Sequence, residues 1–452
     1  MNDPSVLLSH ADTRVIQITG GRRLEGNAVV QGSKNTALHL YAAAQLVDEP
    51  LALTGIPLIS DTQVCAEILT HTGTAARIVG ERLQVTPAAA WQPAIPDELG
   101  GRIRTTAVMA AGLLARAGRV RFPLPGGDAF CHRLIDRHLA AMEAAGAALD
   151  VTGTHVQARL PARGPHPFTT DVTTRQWGPS LGATVTAMLL AARARGTSTI
   201  LNPNAEPEVL AVAALLEEGG VAIAWDGATA LHITGTDRIT ATAAHVPPDR
   251  LEAVTLALAA AITGGTVHLD NTPVTVFPAA LVAMLADAGI ELLPERGGTH
   301  ARCPAGPRPV QTATVSATCT DVQPPLTAFL TQAPGVSRIE ERIYTARDTH
   351  VEPLRAFGAA VTADGPTITV RGPSPLTAAR TAGHDIRAVA ALVIAALAAE
   401  GTSTLHGVYH LQRGYGHLLS KLAALGAELT VRFTGGSGEG VDEGEKPAAG
   451  CG

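Results

Sequence analysis

The sequence predicts an α/β protein built from six repeated units of about 70 residues each. In each unit an Ala- and Leu-rich helical run ends in Leu-x-x-x-Gly or Met-x-x-x-Gly, and an apolar, strand-like segment follows. A β-rich segment such as GTVHLDNTP or GTSTLHGVYH lies between the helical runs. Because helix, strand and spacing recur together, chance repetition in a glycine-rich chain is disfavoured. The repeated glycines are 73, 74, 69, 69 and 68 residues apart: Gly73, Gly146, Gly220, Gly289, Gly358 and Gly426.

Each unit is expected to contain one buried helix and one helix that ends in glycine. Residues 249–263 read DRLEAVTLALAAAIT, which is apolar on most of the helix circumference, so this helix should be buried on all sides. The second helix ends in Gly because the chain must turn back through a positive φ before the next strand. So much helix in six units predicts globular clusters and disfavours a thin solenoid.

Length and composition limit the classes of protein to which the chain can belong. The 452 residues suggest two or three domains. Lys and Arg number 34 against 40 Asp and Glu, a formal charge of −6, which offers no general attraction to nucleic acid or to an anionic membrane. Aromatic residues make up only 3%, so small aliphatic side chains must fill the core.

Several signals of export or of metal binding are missing from the sequence. No uninterrupted apolar run approaches the length of a membrane span, and the first residues lack a basic and then apolar leader. The five cysteines show no CxxC spacing and the histidines no HxxxH or HExxH spacing, so neither a metal nor an organic cofactor is expected. A reducing cytoplasm fits best. The Gly-rich, acidic segment 434–452 is interpreted as a disordered tail.

A sparse set of basic residues points to an anionic small molecule as the ligand. Six cations stand at starts of buried-looking helices or at ends of strands, where an unpaired charge is costly. Any one of them could form an ordinary salt bridge, but six spread over the repeats favour a shared anion held by guanidinium and ammonium groups. These residues are Lys34, Arg104, Arg133, Arg347, Arg387 and Arg413.

Four motifs give the chain a resemblance to a known family. QGSKNTAL near the start, PGGD followed by Arg133, PDRLE at 248–252 and YHLQRGY at 409–415 resemble the enolpyruvyltransferase family, in particular the branch that acts on UDP-N-acetylglucosamine. The resemblance extends to about residue 433. It implies a two-domain inverse α/β barrel-like fold, with three βαβαββ-type repeats per domain around buried helices. It also implies that residues 34–244 form one domain and residues 1–33 with 245–433 the other.

The resemblance implies a role for each cation. Lys34, Arg133 and Arg413 match positions that hold the phosphate of phosphoenolpyruvate, the donor substrate. Arg347 and Arg387 match positions that hold its carboxylate, and Arg104 lines the same pocket. Ligands from both domains imply a free enzyme that is open and closes by induced fit as substrates neutralise the arginines.

The resemblance also implies the groups that transfer protons. Asp321 matches the base that deprotonates the acceptor hydroxyl, although an aspartate at a helix start is often only an N-cap. Asp128 stands where most members carry the cysteine that fosfomycin alkylates, so we expect an acid at this position and insensitivity to fosfomycin. Asp385 matches a carboxylate near the donor, with an ion pair to a neighbouring Arg as the alternative. Lys34 completes the catalytic set.

The acceptor site is less sharply defined by the sequence. The segment PSLGAT resembles one that binds the phosphates of a uridine nucleotide, and the run from 133 to 136 resembles its uracil-holding loop. Asn35 matches a residue that contacts the acceptor, or serves only as a polar helix start. The predicted acceptor-binding residues are Asn35, Asp136, Ser180, Leu181 and Gly182.

Departures from the family pattern concentrate on the acceptor side. Leu134 follows Arg133 where proline is usual, a lysine is missing from GPSLG, and the loop VSATCTD before Asp321 is short. These departures favour UMP as the acceptor, as in relatives that serve nucleoside-antibiotic pathways, over UDP-N-acetylglucosamine of peptidoglycan synthesis. An inactive nucleotide-binding paralogue is the third possibility. The partners expected are therefore phosphoenolpyruvate and a uridine nucleotide, with no nucleic acid and no membrane.

Overall fold

The computed structural model describes residues 13–128, 130–131, 134–174, 178–311, 313–315 and 320–433, with the backbone alone for Thr174. Arg133 and the predicted tail 434–452 therefore lie outside the described residues. Within the described part of the chain, no helix combines the length and the apolar character that crossing a membrane requires.

The described residues form fourteen α-helices, and three short 3₁₀ helices lie at Ala44–Leu46, Val274–Val276 and Thr320–Val322. The α-helices are α1 Lys34–Ala43, α2 Ser60–His71, α3 Asp97–Gly100, α4 Thr106–Ala117, α5 Asp136–Ala144, α6 Leu181–Ala191, α7 Pro207–Glu218, α8 Arg250–Ile262, α9 Ala279–Asp287, α10 Gln323–Leu330, α11 Val351–Arg355, α12 Ile386–Ala398, α13 Val408–Gly414 and α14 Leu418–Ala424.

The same residues form twenty-five strands. They are β1 Arg14–Thr19, β2 Glu25–Val29, β3 Leu51–Thr54, β4 Ala75–Val79, β5 Arg82–Thr86, β6 Arg119–Pro123, β7 Ala148–Val151, β8 His155–Arg159, β9 Thr169–Asp171, β10 Thr173–Thr174, β11 Gly178–Pro179, β12 Thr197–Leu201, β13 Ala222–Asp226, β14 Ala230–Thr234, β15 Ala243–His245, β16 Thr266–Asp270, β17 Glu291–Glu295, β18 Gly298–Arg302, β19 Ala313–Val315, β20 Gly335–Glu341, β21 Ala360–Asp364, β22 Thr367–Gly372, β23 Arg380–Ala382, β24 Thr402–His406 and β25 Glu428–Phe433.

One βαβαββ plan recurs through the chain, with two variations among the described residues. A lead strand, an inner helix, a second strand, an outer helix and a hairpin follow in that order, as in β19, α10, β20, α11, β21 and β22. The lead strand pairs in parallel with a second strand, and the hairpin pairs antiparallel with that strand. The unit of β6, β7 and β8 has the isolated bridge between Ala94 and Arg121 in place of a lead strand, and β1 completes the last unit. The six main sheets of the described residues have the orders β15-β3-β5-β4, β6-β8-β7, β13-β14-β12-β9, β17-β18-β16-β2, β19-β20-β22-β21 and β23-β24-β1-β25. The predicted six-repeat α/β fold is thereby confirmed.

The repeated glycines stand where each outer helix ends. All six have positive φ, from +88° at Gly358 to +110° at Gly73. A Cβ at Gly73 would also lie 2.3 Å from the carbonyl oxygen of Ala90. The left-handed turn lets the chain leave the helix and enter the hairpin at once, and it strongly disfavours any side chain.

The two domains have separate hydrophobic cores. One core draws its buried residues from Ala37 to Val246, and the other from Ile16 to Val30 and from Leu251 to Ala427. The inner helix α12 shows why each core is dense: its residues from Ile386 to Leu397 are all buried, and their abundant Ala lets α8 and α10 approach closely. The predicted bounds, 34–244 against 1–33 with 245–433, stay a prediction with which these cores are consistent.

Two crossings between the domains position the functional residues. The lead strand β2 pairs with β16 in the second domain, and the lead strand β15 pairs with β3 in the first. The chain therefore passes from one domain to the other just before α1 and just before α8. Lys34 and Arg250, the first residues of these two inner helices, lie directly at the crossings.

Candidate active site

A cavity of about 300 Å³ lies between the two domains. Both domains contribute polar side chains to its wall, together with a smaller number of apolar ones. From the first domain the wall includes Lys34, Asn35, His39, Asp61, Arg104, Asp128, Phe130, Asp136, Arg137, His138, Ser180, Leu181, Gly182, Asn204 and Glu206; from the second it includes Arg250, Asp321, Tyr344, Arg347, Arg387 and Arg413. The predicted site residues in the described part of the chain, apart from Asp385, are all in this wall.

Lys34 is held at the N-terminus of an inner helix. The side chain of Ser33 caps α1 by accepting a hydrogen bond from the backbone amide of Thr36. The Lys34 Nζ lies 2.8 Å from Asp61 Oδ2, and both side chains are buried. Burial lowers the pKa of Lys34, and the neighbouring carboxylate of Asp61 opposes that effect.

Arg413 reaches from α13 of the second domain to two carboxylates of the first. Its Nε and Nη2 donate to the two oxygens of Asp61 at 2.9 and 3.1 Å, a bidentate pair. Its Nη1 donates to Asp128 Oδ1 at 2.5 Å. Lys34 and Arg413 are thus two adjacent cations that the carboxylates of Asp61 and Asp128 neutralise.

Asp128 is an anion in this arrangement. Its Oδ2 accepts a hydrogen bond from the backbone amide of Ile386 at 3.2 Å, and His410 Nδ1 lies 3.4 Å from its Oδ1. Burial raises the pKa of Asp128, but His410, Arg413 and Lys34 together hold it below the usual range of a carboxyl. The protein groups around Asp128 therefore lower its pKa, whereas an acid at this position needs neighbours that raise it.

Asp321 joins the second pair of cations. Arg347 Nη1 donates to Asp321 Oδ1 at 2.8 Å, and Arg387 Nη2 donates to Asp321 Oδ2 at 3.1 Å. Arg387 Nη1 also donates to the hydroxyl of the buried Tyr415 at 2.7 Å. Burial raises the pKa of Asp321, but Arg387 and Arg347 outweigh that effect and keep it well below its usual range. Asp321 is consequently an anion, as a base must be.

An aromatic side chain of the first domain covers Arg347. The ring centroid of Phe130 lies 4.3 Å from the guanidinium carbon of Arg347. The ring centroid of Tyr344 lies 5.9 Å from the same carbon. The two rings meet edge to face at 5.1 Å. Phe130 follows closely on Asp128, so the loop that carries the predicted acid also shields the guanidinium of Arg347.

Asp385 has a different environment from the one predicted. It is the N-cap of α12: its Oδ1 accepts from the backbone amides of Arg387 and Ala388 at 2.9 Å each, and its Oδ2 accepts from Thr349 Oγ1 at 2.5 Å. The side chain is buried and lies outside the cavity wall. Asp385 therefore orients the start of the helix that carries Arg387, and its predicted catalytic role stays untested.

The predicted acceptor residues meet at two helix starts in the first domain. Ser180 caps α6 by accepting from the backbone amide of Ala183 at 3.3 Å, and Asp136 opens α5. Gly182 is needed here because a Cβ would lie 2.8 Å from His138 Cε1. His138 itself donates to or accepts from Thr186 Oγ1 at 2.8 Å, and burial lowers its pKa to about 3. Arg104 donates to the carbonyl oxygen of Leu134 in the same wall.

Sequence reasoning missed the acidic partners of the cations. Asp61 bridges Lys34 and Arg413, and Glu206 with Glu208 holds Arg250. An aspartate after a predicted helix start, in SDTQ, was the available signal for Asp61. The PDRLE motif did contain Arg250, but nothing in the sequence connected it with a carboxyl more than forty residues earlier.

A cleft between two three-repeat domains, with two pairs of cations and aspartates beside them, is the arrangement expected of an enolpyruvyl transferase. The family model for EPSP synthase (3-phosphoshikimate 1-carboxyvinyltransferase) matches residues 18–422, and the chain belongs to this family. UDP-N-acetylglucosamine 1-carboxyvinyltransferase of Novosphingobium aromaticivorans is 38% identical over 427 residues, 92% of this chain and 98% of the relative. The protein of the same description from Anaeromyxobacter sp. is 37% identical over 422 residues, again 92% and 98% of the two chains.

Two solved structures share the fold of this chain. The enolpyruvyl transferase NikO from Streptomyces tendae superposes with a TM-score of 0.84 at 26% identity and covers 93% of this chain and 99% of its own. EPSP synthase from Acinetobacter baumannii superposes with a TM-score of 0.74 at 16% identity, covering 93% and 100%, and shows the fold alone.

Proposed function

We propose that the protein transfers the enolpyruvyl group of phosphoenolpyruvate to a hydroxyl of a uridine nucleotide and releases phosphate. The observation that carries this proposal is the arrangement of two cation pairs in one cavity. Lys34 with Arg413 fits a phosphate, and Arg347 with Arg387 fits a carboxylate. Phosphoenolpyruvate carries these two groups on three carbons.

Binding of the donor would exchange one set of anions for another. The phosphate takes the place of Asp128 beside Arg413, and the carboxylate competes with Asp321 for Arg347 and Arg387. Each exchange keeps the buried cations neutralised, which avoids the cost of an unpaired buried charge. The phosphate also brings negative charge beside Asp128, so the pKa of Asp128 rises from its lowered value and the carboxyl can take up a proton.

The reaction is an addition followed by an elimination. The Asp321 carboxylate accepts the proton of the acceptor hydroxyl as that oxygen bonds to C2 of the donor, and C3 takes up a proton from Asp128. The tetrahedral intermediate then breaks its C2–O bond, and phosphate leaves with the electron pair of that bond. The Asp128 carboxylate takes a proton back from C3 as the double bond is restored. Lys34 and Arg413 stabilise the charge on the departing phosphate.

Of the two acceptors, we favour UDP-N-acetylglucosamine. Two relatives named UDP-N-acetylglucosamine 1-carboxyvinyltransferase are 38% and 37% identical to this chain over more than nine-tenths of its length. UMP, to which the departures in the sequence pointed, stays a second candidate. The observation in its favour is that Gly178 and Pro179 precede Ser180 in the cavity wall, where the resemblance places a lysine just before the phosphate-binding Ser. The cytoplasmic location likewise stays a prediction.

An assay of phosphate release decides between these acceptors. The purified protein is incubated with phosphoenolpyruvate and each nucleotide in turn, and the product is examined by mass spectrometry. We expect release with UDP-N-acetylglucosamine and a product heavier by one enolpyruvyl group. Release with UMP alone would reverse the choice of acceptor. No release with either nucleotide, while both bind, would favour the inactive paralogue.

Replacing the proposed base tests the chemistry itself. For Asp321→Asn we expect nucleotide affinity close to that of the wild type and turnover lower by about 10²–10⁴-fold, the usual contribution of a positioned acid or base. Glu217→Gln, an exposed change on α7, is the control for expression and folding. An unchanged rate for Asp321→Asn would remove Asp321 from the mechanism.

A further inference from the structure

A second buried ionic cluster lies in the wall of the same cavity. Glu206, just before α7 of the first domain, accepts a hydrogen bond from Arg250 Nη2 of the second domain at 3.0 Å through Oε2. Its Oε1 accepts from Asn204 Nδ2 at 3.1 Å. Glu206, Asn204 and Arg250 all border the cavity that holds Asp321. The proposed mechanism uses none of these three side chains.

The cluster contains more carboxyl groups than cations. Glu208 is fully buried and accepts from Arg250 Nη1 at 2.7 Å, so two carboxyl groups share one guanidinium. The other Glu208 oxygen, Oε2, is buried without a hydrogen-bond donor among the described residues. Asp321 adds a further negative charge nearby, and Asp249 is occupied in capping α8. A buried excess of negative charge is expensive, and an additional proton relieves it.

Glu206 is the member of the cluster that can hold this proton. Burial is the largest cause that raises the pKa of Glu206, and the neighbouring Glu208 adds to it. Arg250 and Asn204 oppose this effect, and the net result is a pKa of about 8. Unlike Glu208, Glu206 borders the cavity. Of the two glutamates, Glu206 is therefore the one that a molecule bound in the cavity can contact.

We propose that Glu206 is an acceptor-side binding residue that meets the nucleotide as a neutral carboxylic acid and donates a hydrogen bond to one of its oxygen atoms. This inference rests on the proposed function, because it takes an anionic nucleotide as the ligand. Loss of the proton removes the donor and puts a second carboxylate beside Asp321, so acceptor binding weakens at alkaline pH. Binding of the donor depends instead on Lys34, Arg413, Arg347 and Arg387. Loss of the Glu206 proton should therefore weaken donor binding less than acceptor binding.

The first test compares KM for the acceptor in the wild type and in Glu206→Gln across the pH range. Gln is neutral at every pH and keeps a donor. For the wild type we expect KM for the acceptor to rise about tenfold for each pH unit above the pKa of Glu206. For Glu206→Gln we expect that rise to disappear. Glu217→Gln on α7, the helix that follows Glu206, is the matched control and should keep the wild-type profile. An alkaline rise that persists in Glu206→Gln overturns the proposal.

A second measurement uses the wild type alone and requires no turnover. Calorimetric titration of UDP-N-acetylglucosamine or UMP in buffers of different ionisation enthalpy gives the number of protons taken up on binding. We expect uptake near zero about one pH unit below the pKa of Glu206 and approaching one proton about one unit above it. Binding without uptake at the higher pH contradicts the proposal, whether or not Glu206→Gln folds.

A third measurement separates this inference from the proposed function. The folded protein retains the Glu206 proton from the ordinary carboxyl pKa up to about 8, so its stability falls as pH rises through this window. The melting temperature of Glu206→Gln should fall less over the same window. If neither nucleotide binds, the proposed function fails while this difference in melting still tests the proton. Parallel melting profiles of wild type and variant would show that Glu206 carries no such proton.

Discussion

Arg413 of the second domain donates a hydrogen bond of 2.5 Å to Asp128 of the first, across the cleft between the domains. Arg413 also binds Asp61 of the first domain, so the arginine of the proposed phosphate site is paired with two protein carboxylates. The resemblance implied a free enzyme that is open and closes as substrates neutralise the arginines, and this stays a prediction. Each described arginine of the cavity wall has an acidic or carbonyl partner within the protein.

This pairing predicts opposite effects of Asp128→Asn on donor affinity and on turnover. The amide no longer competes with phosphate for Arg413, so KM for phosphoenolpyruvate should fall several-fold. It also cannot take up and deliver a proton, so kcat should fall by about 10²–10⁴-fold. Steady-state kinetics in both substrates measures the two effects. Asp97→Asn, an exposed change away from the cavity, is the control. A kcat equal to that of the wild type would exclude Asp128 as the acid.

Asp128 also predicts the response to fosfomycin. A carboxylate held as an anion by Arg413 and His410 is a far weaker nucleophile than a thiolate. We therefore expect no covalent adduct on residue 128 and full activity after incubation with the drug. Asp128→Cys provides the matched comparison, since it restores a thiol at the same place. Peptide mass spectrometry of both proteins checks the prediction, and an adduct mapped to Asp128 would contradict it.

Much of the fold was predictable because it depends on local signals. The repeated glycines mark left-handed turns that other residues rarely adopt, and the all-apolar helices have few alternatives to burial. The cations at helix starts were predictable for the same reason, since Lys34 and Arg387 are costly there without an anion. Their acidic partners were not predictable, because Asp61 meets Arg413 only through the packing of elements 352 residues apart.

The same limit explains Asp385. From the sequence, a carboxylate two residues before Arg387 could be a catalytic group or the partner of an arginine. The structure shows a third arrangement, an N-cap whose oxygens are occupied by backbone amides and by Thr349. Which of these environments a carboxylate adopts depends on the ψ of its own backbone and on a loop from another repeat. Neither is encoded in the local spacing of residues.

The ion pairs of the cavity predict a loss of stability in acid. Burial raises the pKa values of Asp321 and Asp61, but their cationic partners outweigh burial and hold both values below that of an aspartate in the unfolded chain. Their contribution to stability is therefore complete above the unfolded pKa, near 4, and is lost as pH falls further. Melting temperatures measured downward from neutral pH should decline below about pH 4, and less steeply in Asp321→Asn. Equal slopes for the two proteins would show that the pairs of Asp321 contribute nothing.

Gly182 predicts a separable effect on the acceptor. In Gly182→Ala the new methyl group would meet the imidazole of His138, with 2.8 Å to Cε1 and 3.0 Å to Nε2. Overpacking of this kind typically costs about 1–3 kcal/mol, and here it displaces the start of α6. We expect KM for the acceptor to rise about tenfold while KM for phosphoenolpyruvate changes little. Gly153→Ala, where a Cβ meets nothing within 4 Å, should leave both constants unchanged. A larger rise of KM for phosphoenolpyruvate than of KM for the acceptor would contradict the assignment of Gly182 to the acceptor site.

The inner helices predict where the fold is most sensitive to a cavity. Leu392 lies in the middle of α12, fully buried between the other inner helices of the second domain. Its replacement by Ala removes packed atoms that rigid, Ala-rich neighbours cannot replace, so Leu392→Ala should lower the free energy of unfolding by about 2–5 kcal/mol. Leu210→Ala on α7, where the leucine is 46% exposed, should change it by less than about 0.5 kcal/mol. Denaturant unfolding of the three proteins measures both values, and a loss at Leu210 as large as that at Leu392 would show that burial around α12 does not dominate stability.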